Sequence, residues 1–507
     1  MYKLQSCEFH QTNNLELFYT DEFSSNKWVI FVFLKKAENK IYSHRMSKLK
    51  EKAFLQDAER VAFDYKHRAT IRYNMSKYDA AVDKGKKRYR DLFLARRKAA
   101  ILKRNVLKDL PAYLETFERN ALANGSEVEW AYDSEEAIDI IARILKEEGA
   151  RLLVKSKSMT TEEVDVNARM EEMGIESVET DLGEFIVQVA GEKPYHIVTP
   201  AMHKSKRDIA TLFHDQFDLS EDSSPEQMTS FVRQRLRNKF ETAAAGLTGS
   251  NFLLAEEGGI AITENEGNGM LTFSFPKVHI VLAGIEKILP SYKDLDLMWP
   301  LLAAHGTGQK VTVYNSVVFG PSKKAEGDGP ERMVVILLDN GRSHLYNLPE
   351  QSESLSCIRC GACLNACPIY KNVGGYTYNS VYSGPIGSVI TPHLKGLKEY
   401  QHLSFASSLC GQCEEVCPVM IPIPSLLLKN RRDAVEKGFR PKSEKFVMKG
   451  MEKGLSSRSL MDIGQGHMKN LSGKIFPVQS LVGEKRTFPV FSKQSFSSSW
   501  INQYRKK

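Results

Sequence analysis

Apolar and polar positions follow two rhythms along this chain, a period of two in short runs and a period near 3.6 between them. The segment Glu127-Val-Glu-Trp-Ala-Tyr132 reads as a strand. Asp133 or Ser134 then caps a helix whose Ala137, Ile140, Ile141, Ile144 and Leu145 share one stripe. Arg151 to Ser156 predicts a second strand, with a helix over residues 161–173 after it. The apolar runs HIVTP at 196–200, HIVLAGI at 279–285 and MVVILLD at 333–339 predict strands buried on both faces. Alternating strands and helices over 121–345 predict one α/β domain. Upstream, Met46 opens a helix-like stretch, so 46–120 is expected to be helical. Residues 1–45 differ in texture and read as an extension or a misassigned start. Between Lys84 and Arg104 stand ten Lys or Arg against one acid, Asp91, with Leu92, Ala95, Ala99 and Leu102 at helical spacing. That pattern predicts a single amphipathic helix with a basic, solvated outer face.

At 507 residues and 57.3 kDa, with 42% hydrophobic and 26% charged residues, the chain has room for two to four domains and is no disordered tail or small disulfide scaffold. The longest purely apolar run, Trp28 to Leu34, is far below the roughly 20 residues needed to span a membrane. The opening MYKLQSCEFHQTNN is polar where an export signal would be apolar, so the cytoplasm is the expected compartment. A net charge of +8 is modest for this size. With no nucleic-acid module beside them, the basic helix and the basic region 431–507 are candidate protein-docking surfaces, and no nucleic-acid partner is expected.

The chemistry lies in the cysteines. Of eight, seven fall between 357 and 417; the other, Cys7, reads as an incidental thiol. Cys357, Cys360, Cys363 and Cys367, followed by Pro368, form the ferredoxin run CxxCxxCxxxCP. Cys410, Cys413 and Cys417, followed by Pro418, form a second group, and these two groups are the only internal repeat in the chain. Three thiolates spaced by three residues can converge on one cubane, while the cysteine before proline reaches the neighbouring cluster. Cys357, Cys360 and Cys363 are therefore completed by Cys417, and Cys367 belongs with Cys410 and Cys413. The second set is one thiolate short, and Ser407 stands where the missing ligand belongs, three residues before Cys410. A hydroxyl is a poor donor to soft iron, which predicts a [3Fe-4S] cluster or a [4Fe-4S] cluster with one labile iron. Zinc asks for two closely spaced pairs and does not match this spacing, and disulfides do not suit a reducing compartment.

Other segments carry weaker signals. The loops Gly246-Leu-Thr-Gly-Ser-Asn251 and Glu264-Asn-Glu-Gly-Asn-Gly269 could offer backbone N–H groups to an anion, but they match neither GxGxxG nor a Walker loop, and turn chemistry explains their glycines. In VKSKSMTTEE, Lys155 and Lys157 stand beside hydroxyls at a strand end and could meet a carboxylate or phosphate, although lysines there are more often simply exposed. His203, His305 and Arg342 are candidates to polarise or clamp a hydroxy acid. No catalytic residue can be assigned.

The segments VKSKSMTTEEV, TDLGEF at 180–185, ITENEGNG at 262–269, DNGRS at 339–343, CIRCGACLNACPIY, YSGPIGSV at 382–389 and ASSLCGQCEEVCPVMIP together resemble the lactate utilization protein B family of bacterial lactate oxidation. The resemblance covers about residues 60–450. It implies a ribose-phosphate isomerase/CoA-transferase-like α/β domain at 121–345, an all-α ferredoxin module with two iron-sulfur clusters at 346–430, and lactate utilization proteins A and C as partners. It implies the same two cysteine sets, with serine at position 407. Oxidising L-lactate to pyruvate removes two electrons, whereas an iron-sulfur cluster accepts one at a time. The expected role is therefore an electron-transfer subunit of an oxidoreductase that does not use NAD. The alternatives are an α/β domain that itself holds the hydroxy acid, a relay for another 2-hydroxy acid, and a cluster-bearing sensor or scaffold.

Overall fold

The computed structural model describes residues 38–323, 326–462, 466, 470 and 490–504. Cys7, the run 28–34 and most of the expected extension lie outside them. Two compact units divide the chain, Met1–Asp433 and Ala434–Lys507. In the second, the helix Lys442–Ser456 is followed by Arg458–Asp462 and later by Phe496–Tyr504, where Trp500 stacks on Tyr504 at 4.3 Å between ring centres.

The first unit is built on ten strands: β1 Glu127–Ala131, β2 Leu152–Lys155, β3 Glu176–Glu179, β4 Ala245–Thr248, β5 Phe252–Leu254, β6 Gly259–Glu264, β7 Val278–Gly284, β8 Ile288–Leu289, β9 Tyr314–Val318 and β10 Arg332–Leu338. Six form a wholly parallel sheet in the order β1-β10-β7-β4-β2-β3. Strand period explains its core. Val334, Ile336 and Leu338 of β10 join one apolar layer with the predicted helix stripe, while Met333, Val335 and Leu337 face the opposite layer. A sheet covered on both faces favours apolar residues at nearly every position, which is why β7 and β10 read as hydrophobic runs apart from His279 and Arg332. That second layer is continuous with the helices Tyr65–Lys86, Leu92–Lys108 and Leu110–Ala123 and with the cysteine-bearing region.

The predicted strands at 127–132, 151–156, 279–285 and 333–339 form, and three expectations need correction. HIVTP is no strand: the His196 ring accepts the backbone N–H groups of Val198 and Thr199, and Tyr195 N–H reaches Pro200 O at 2.9 Å, closing the segment into a loop. The helix expected over 161–173 is two, Met159–Glu163 and Val166–Glu172, parted by Asp165 in the left-handed region at φ 58°. The basic helix also breaks, between Lys86 and Leu92, and Asp91 is the N-cap that starts the second piece. Its basic face is not wholly solvated. Lys103 is 1% exposed and donates to Glu286 O and Ile288 O, while Arg96 donates to Cys417 O. A second sheet, β8-β5-β6-β9, was not expected at all; its strands of two to six residues are too short to show a period.

His279 in β7 is fully buried and pairs with the Thr248 hydroxyl at 2.8 Å, and burial pulls its pKa down to about 3. A depressed folded-state pKa gives stability that is complete above the ordinary value near 6.5 and is lost as pH falls toward 3. His279→Gln protein should therefore lose less stability than the parent between pH 7.5 and pH 5 in denaturant titrations. Equal losses in both proteins would show that His279 is not the group responsible.

Candidate iron-sulfur centre and adjoining cleft

Two loops present the cysteines with the same local backbone. In the first, Arg359 has φ 60°, Gly361 at φ 77° caps the helix Ala362–Ala366, and Arg359 N–H reaches Cys357 Sγ at 3.4 Å. In the second, Leu409 has φ 55°, Gly411 at φ 87° caps Gln412–Glu415, and Leu409 N–H reaches Ser407 Oγ at 3.2 Å. A left-handed residue before and after each central cysteine turns the chain tightly enough to aim successive side chains inward, and glycine takes that conformation without strain. Ser407 Oγ thus occupies in the second loop the position that Cys357 Sγ occupies in the first.

The sulfurs sort crosswise. Cys357, Cys360, Cys363 and Cys417 all line one cavity, whose other walls include Ile358, Leu364 and Val419. In the free thiol state, burial raises Cys417 to about 11, and the charge of Cys357 adds to it. Cys413 is raised to about 12 by burial, then by Cys367, with a smaller contribution from Cys410. Cys367, Cys410 and Cys413 therefore form the second neighbourhood. All seven described cysteines are free thiols. Backbone N–H groups of Tyr370 and Ile421 point at Cys367 Sγ and Cys417 Sγ, the kind of hydrogen bond that steadies a metal-bound thiolate. Among the described residues no three His, Cys, Asp or Glu are close enough to hold a single ion. Thiols spread around a cavity suit a polynuclear core better than zinc.

Beside this centre opens a cleft of about 440 Å³. It lies at the carboxyl ends of the parallel strands, where the chain leaves β2 toward β3 on one side and returns to β4 on the other; crevices of this topology commonly bind ligands. Ser156, Lys157 and Ser158 follow β2, Asp181 follows β3, and Gly249, Ser250 and Asn251 follow β4. Glu264 and Glu266 come from the second sheet, and Arg359 and Cys360 from the first cysteine loop. Cys360 therefore borders both the cleft and the cysteine cavity. The glycine loops do line the cleft, but the N–H groups of Gly269 and Met270 are taken by the Glu264 carboxylate at 2.7 Å each.

Residues 114–338 match the LUD domain and residues 353–421 the 4Fe-4S dicluster domain. The chain is 41% identical over 416 residues to lactate utilization protein B of Bacillus cytotoxicus, covering 80% of this chain and 87% of that one. With the protein of the same name from Bacillus velezensis it shares 43% over 365 residues, 72% of this chain and 76% of the other. The chain belongs to the lactate utilization protein B family. In this member the LUD domain carries the parallel α/β sheet, and the dicluster region is helical.

Several candidate side chains of this family member fall elsewhere. Lys155 is not exposed: it is buried in ion pairs with Glu162 at 2.9 Å and Glu179 at 2.6 Å. Lys157 does reach the cleft, where it donates to Val198 O and lies 3.7 Å from Asp181. His203, Arg342 and His305 do not meet. His203 bonds Glu192 at 2.6 Å and stacks on Tyr195, and buried His305 bonds Leu301 O. Arg342, 1% exposed, is held by Glu163 and Glu286. Its network also takes in Asn340, Tyr382 and Arg359, so it joins the LUD domain to the first cysteine loop. Sequence reading missed Lys287 and Arg359, both in the cleft wall. The usable signal was the Glu286-Lys287 pair directly after the apolar run 280–285, where charge is costly to bury without a purpose.

Proposed function

We propose that this chain is the iron-sulfur electron-transfer subunit of a cytoplasmic complex that oxidises L-lactate to pyruvate, working with lactate utilization proteins A and C. Cys357, Cys360, Cys363 and Cys417 hold one [4Fe-4S] cluster; Cys367, Cys410 and Cys413 hold the other, with Ser407 at its fourth position. When bound, the clusters supply one-electron acceptor and donor centres. The observation that carries this reading is the position of the two cysteine sets: Cys360 borders the cleft, whereas Cys410 is exposed at the surface. A chain with one set touching a ligand-sized cleft through Cys360 and the other reaching the surface through Cys410 is suited to pass electrons between a substrate side and a partner. The relatives' name supplies the substrate, and no described helix is long and apolar enough to cross a membrane. We take the α/β portion, 121–345, to be of the ribose-phosphate isomerase/CoA-transferase type, as the family resemblance implies, with 46–120 as a helical lead, 346–430 as the repeated cysteine module and 431–507 as a basic tail for docking.

The test is anaerobic reconstitution with the two partners. L-lactate should reduce the clusters of this chain within a catalytic turnover, followed by electron paramagnetic resonance. Clusters that stay oxidised while pyruvate forms would point to a sensor or scaffold. Ser407→Cys protein should exchange the signal of a three-iron or labile-iron cluster for that of a second fully thiolate-ligated cubane. Two identical cubanes already present in the parent would overturn the role given to Ser407.

A further inference from the structure

Within the cleft wall two cationic side chains have donors left over. Arg359 is 9% exposed, and its Nη1 is buried without a hydrogen-bond partner. Its other terminal nitrogen meets Glu286 at 3.3 Å, and its guanidinium lies 4.4 Å from the centre of the Tyr382 ring. Lys287 is also 9% exposed and lines the cleft, and no hydrogen bond or ion pair is recorded for it among the described residues. The charge of Arg359 acts on Lys287. Glu286 acts on both cations but gives its Oε2 to Arg342 at 2.6 Å. Arg359 also lines the cysteine cavity, where ligand thiolates would answer part of its charge; in the cleft, the two cations, nine-tenths withdrawn from water, keep donors for an anion.

We propose that Lys287 and Arg359 hold the carboxylate of a small monocarboxylic acid in this cleft, so that the chain binds substrate or product itself and does not only relay electrons. The carboxylates in the cleft lining argue for a single negative charge. Asp181, Glu264 and Glu266 also line it, with Lys157 3.7 Å from Asp181, and would repel a polyphosphate or a polycarboxylate. The hydroxyls of Ser156, Ser158 and Thr160 in the same lining can bond an oxygen on the neighbouring carbon, which suits a 2-hydroxy or 2-oxo acid. That last specification rests on the lactate role proposed above; the carboxylate clamp does not.

The experiment is equilibrium binding of L-lactate, pyruvate and acetate to the full-length, cluster-loaded protein, by isothermal titration calorimetry under anaerobic conditions without partners. Lactate and pyruvate should bind more tightly than acetate. Lys287→Met should weaken them by roughly tenfold to a hundredfold, the usual effect of losing a charge-assisted hydrogen bond, while iron content stays at the parental value. Lys287→Arg should recover part of the loss. Arg359→Lys, which keeps the charge but not the fork, gives a second reading if the methionine variant does not fold. Equal binding by parent and Lys287→Met protein, or no binding by the parent, would overturn the clamp and leave the relay intact. Binding without lactate-driven cluster reduction in the presence of the partners would overturn the relay and leave the clamp. Acetate bound as tightly as lactate would remove the 2-oxygen specificity.

Discussion

Cys360→Ala protein, reconstituted without oxygen, is expected to contain about four irons fewer than the parent and to lose one of two sets of cluster signals. Cys360 borders both the cysteine cavity and the cleft, so no other thiol of its set can take its place without moving the loop. Its neighbours Cys363 and Cys417 are buried among apolar groups, and as free thiols both are pushed up by burial first and by each other's set second. A buried thiol that must lose its proton to bind iron gains that free energy back only when the cluster is complete, which couples cluster loss to loss of folding. The variant should therefore unfold at a clearly lower denaturant concentration as well. The signals from the set containing Cys410 should persist, since those cysteines form a separate neighbourhood. Iron analysis and resonance spectra that match the parent would remove Cys360 from the ligand set.

Arg342→Ala should cost about 3–5 kcal/mol of stability, the range for removing one partner of a buried ion pair. The side chains of Arg342, Glu163 and Glu286 are each 1% exposed, so solvent screens none of them. The guanidinium meets Glu163 through two nitrogens, at 2.9 and 2.7 Å, and Glu286 through a third. Burial works to raise Glu286, yet the charges of Arg342 and Arg359 hold it at about 2. Gly284 belongs to the same arrangement, since a Cβ there would stand 2.2 Å from Glu286 Oε2 and 2.6 Å from Arg342 Nε. Removing Arg342 leaves two carboxylates facing each other's field in a dry interior, with Arg359, Lys287, Tyr382 and Asn340 left to answer them. Adding Glu163→Gln to Arg342→Ala should restore part of the loss, because it removes one stranded charge. A denaturation midpoint unchanged from the parent would mean that the network carries no net stability.

What could be read along the chain and what could not separates by the range of the interaction. The seven cysteines stood out as proposed cluster ligands because ferredoxin spacing is local chemistry: three positions from one thiolate to the next, a proline after the last, and a serine three places before Cys410 can be counted without a fold. The long central strands were legible for the same reason, since β7 and β10 bury both faces and so are apolar at nearly every position, His279 and Arg332 being the exceptions. Short strands such as β5 and β8 carry too few positions to show a period, and HIVTP was misread because a single side chain, His196, captures the backbone N–H groups a strand would have used.

The amino-acid order alone determined that seven cysteines fall in two closely spaced groups, and that an α/β region precedes them, because both depend on spacings within one segment. The tertiary structure decided that Arg342 is a buried tie and no clamp, that Lys103 and Arg96 turn inward from a basic helix, and that Lys287, Arg359 and Cys360 line one cleft. Those outcomes depend on residues as much as 321 positions apart, as for Arg96 and Cys417. Which charge ends beside which is fixed by how the sheet, the helices and the cysteine loops pack, and no local pattern records it.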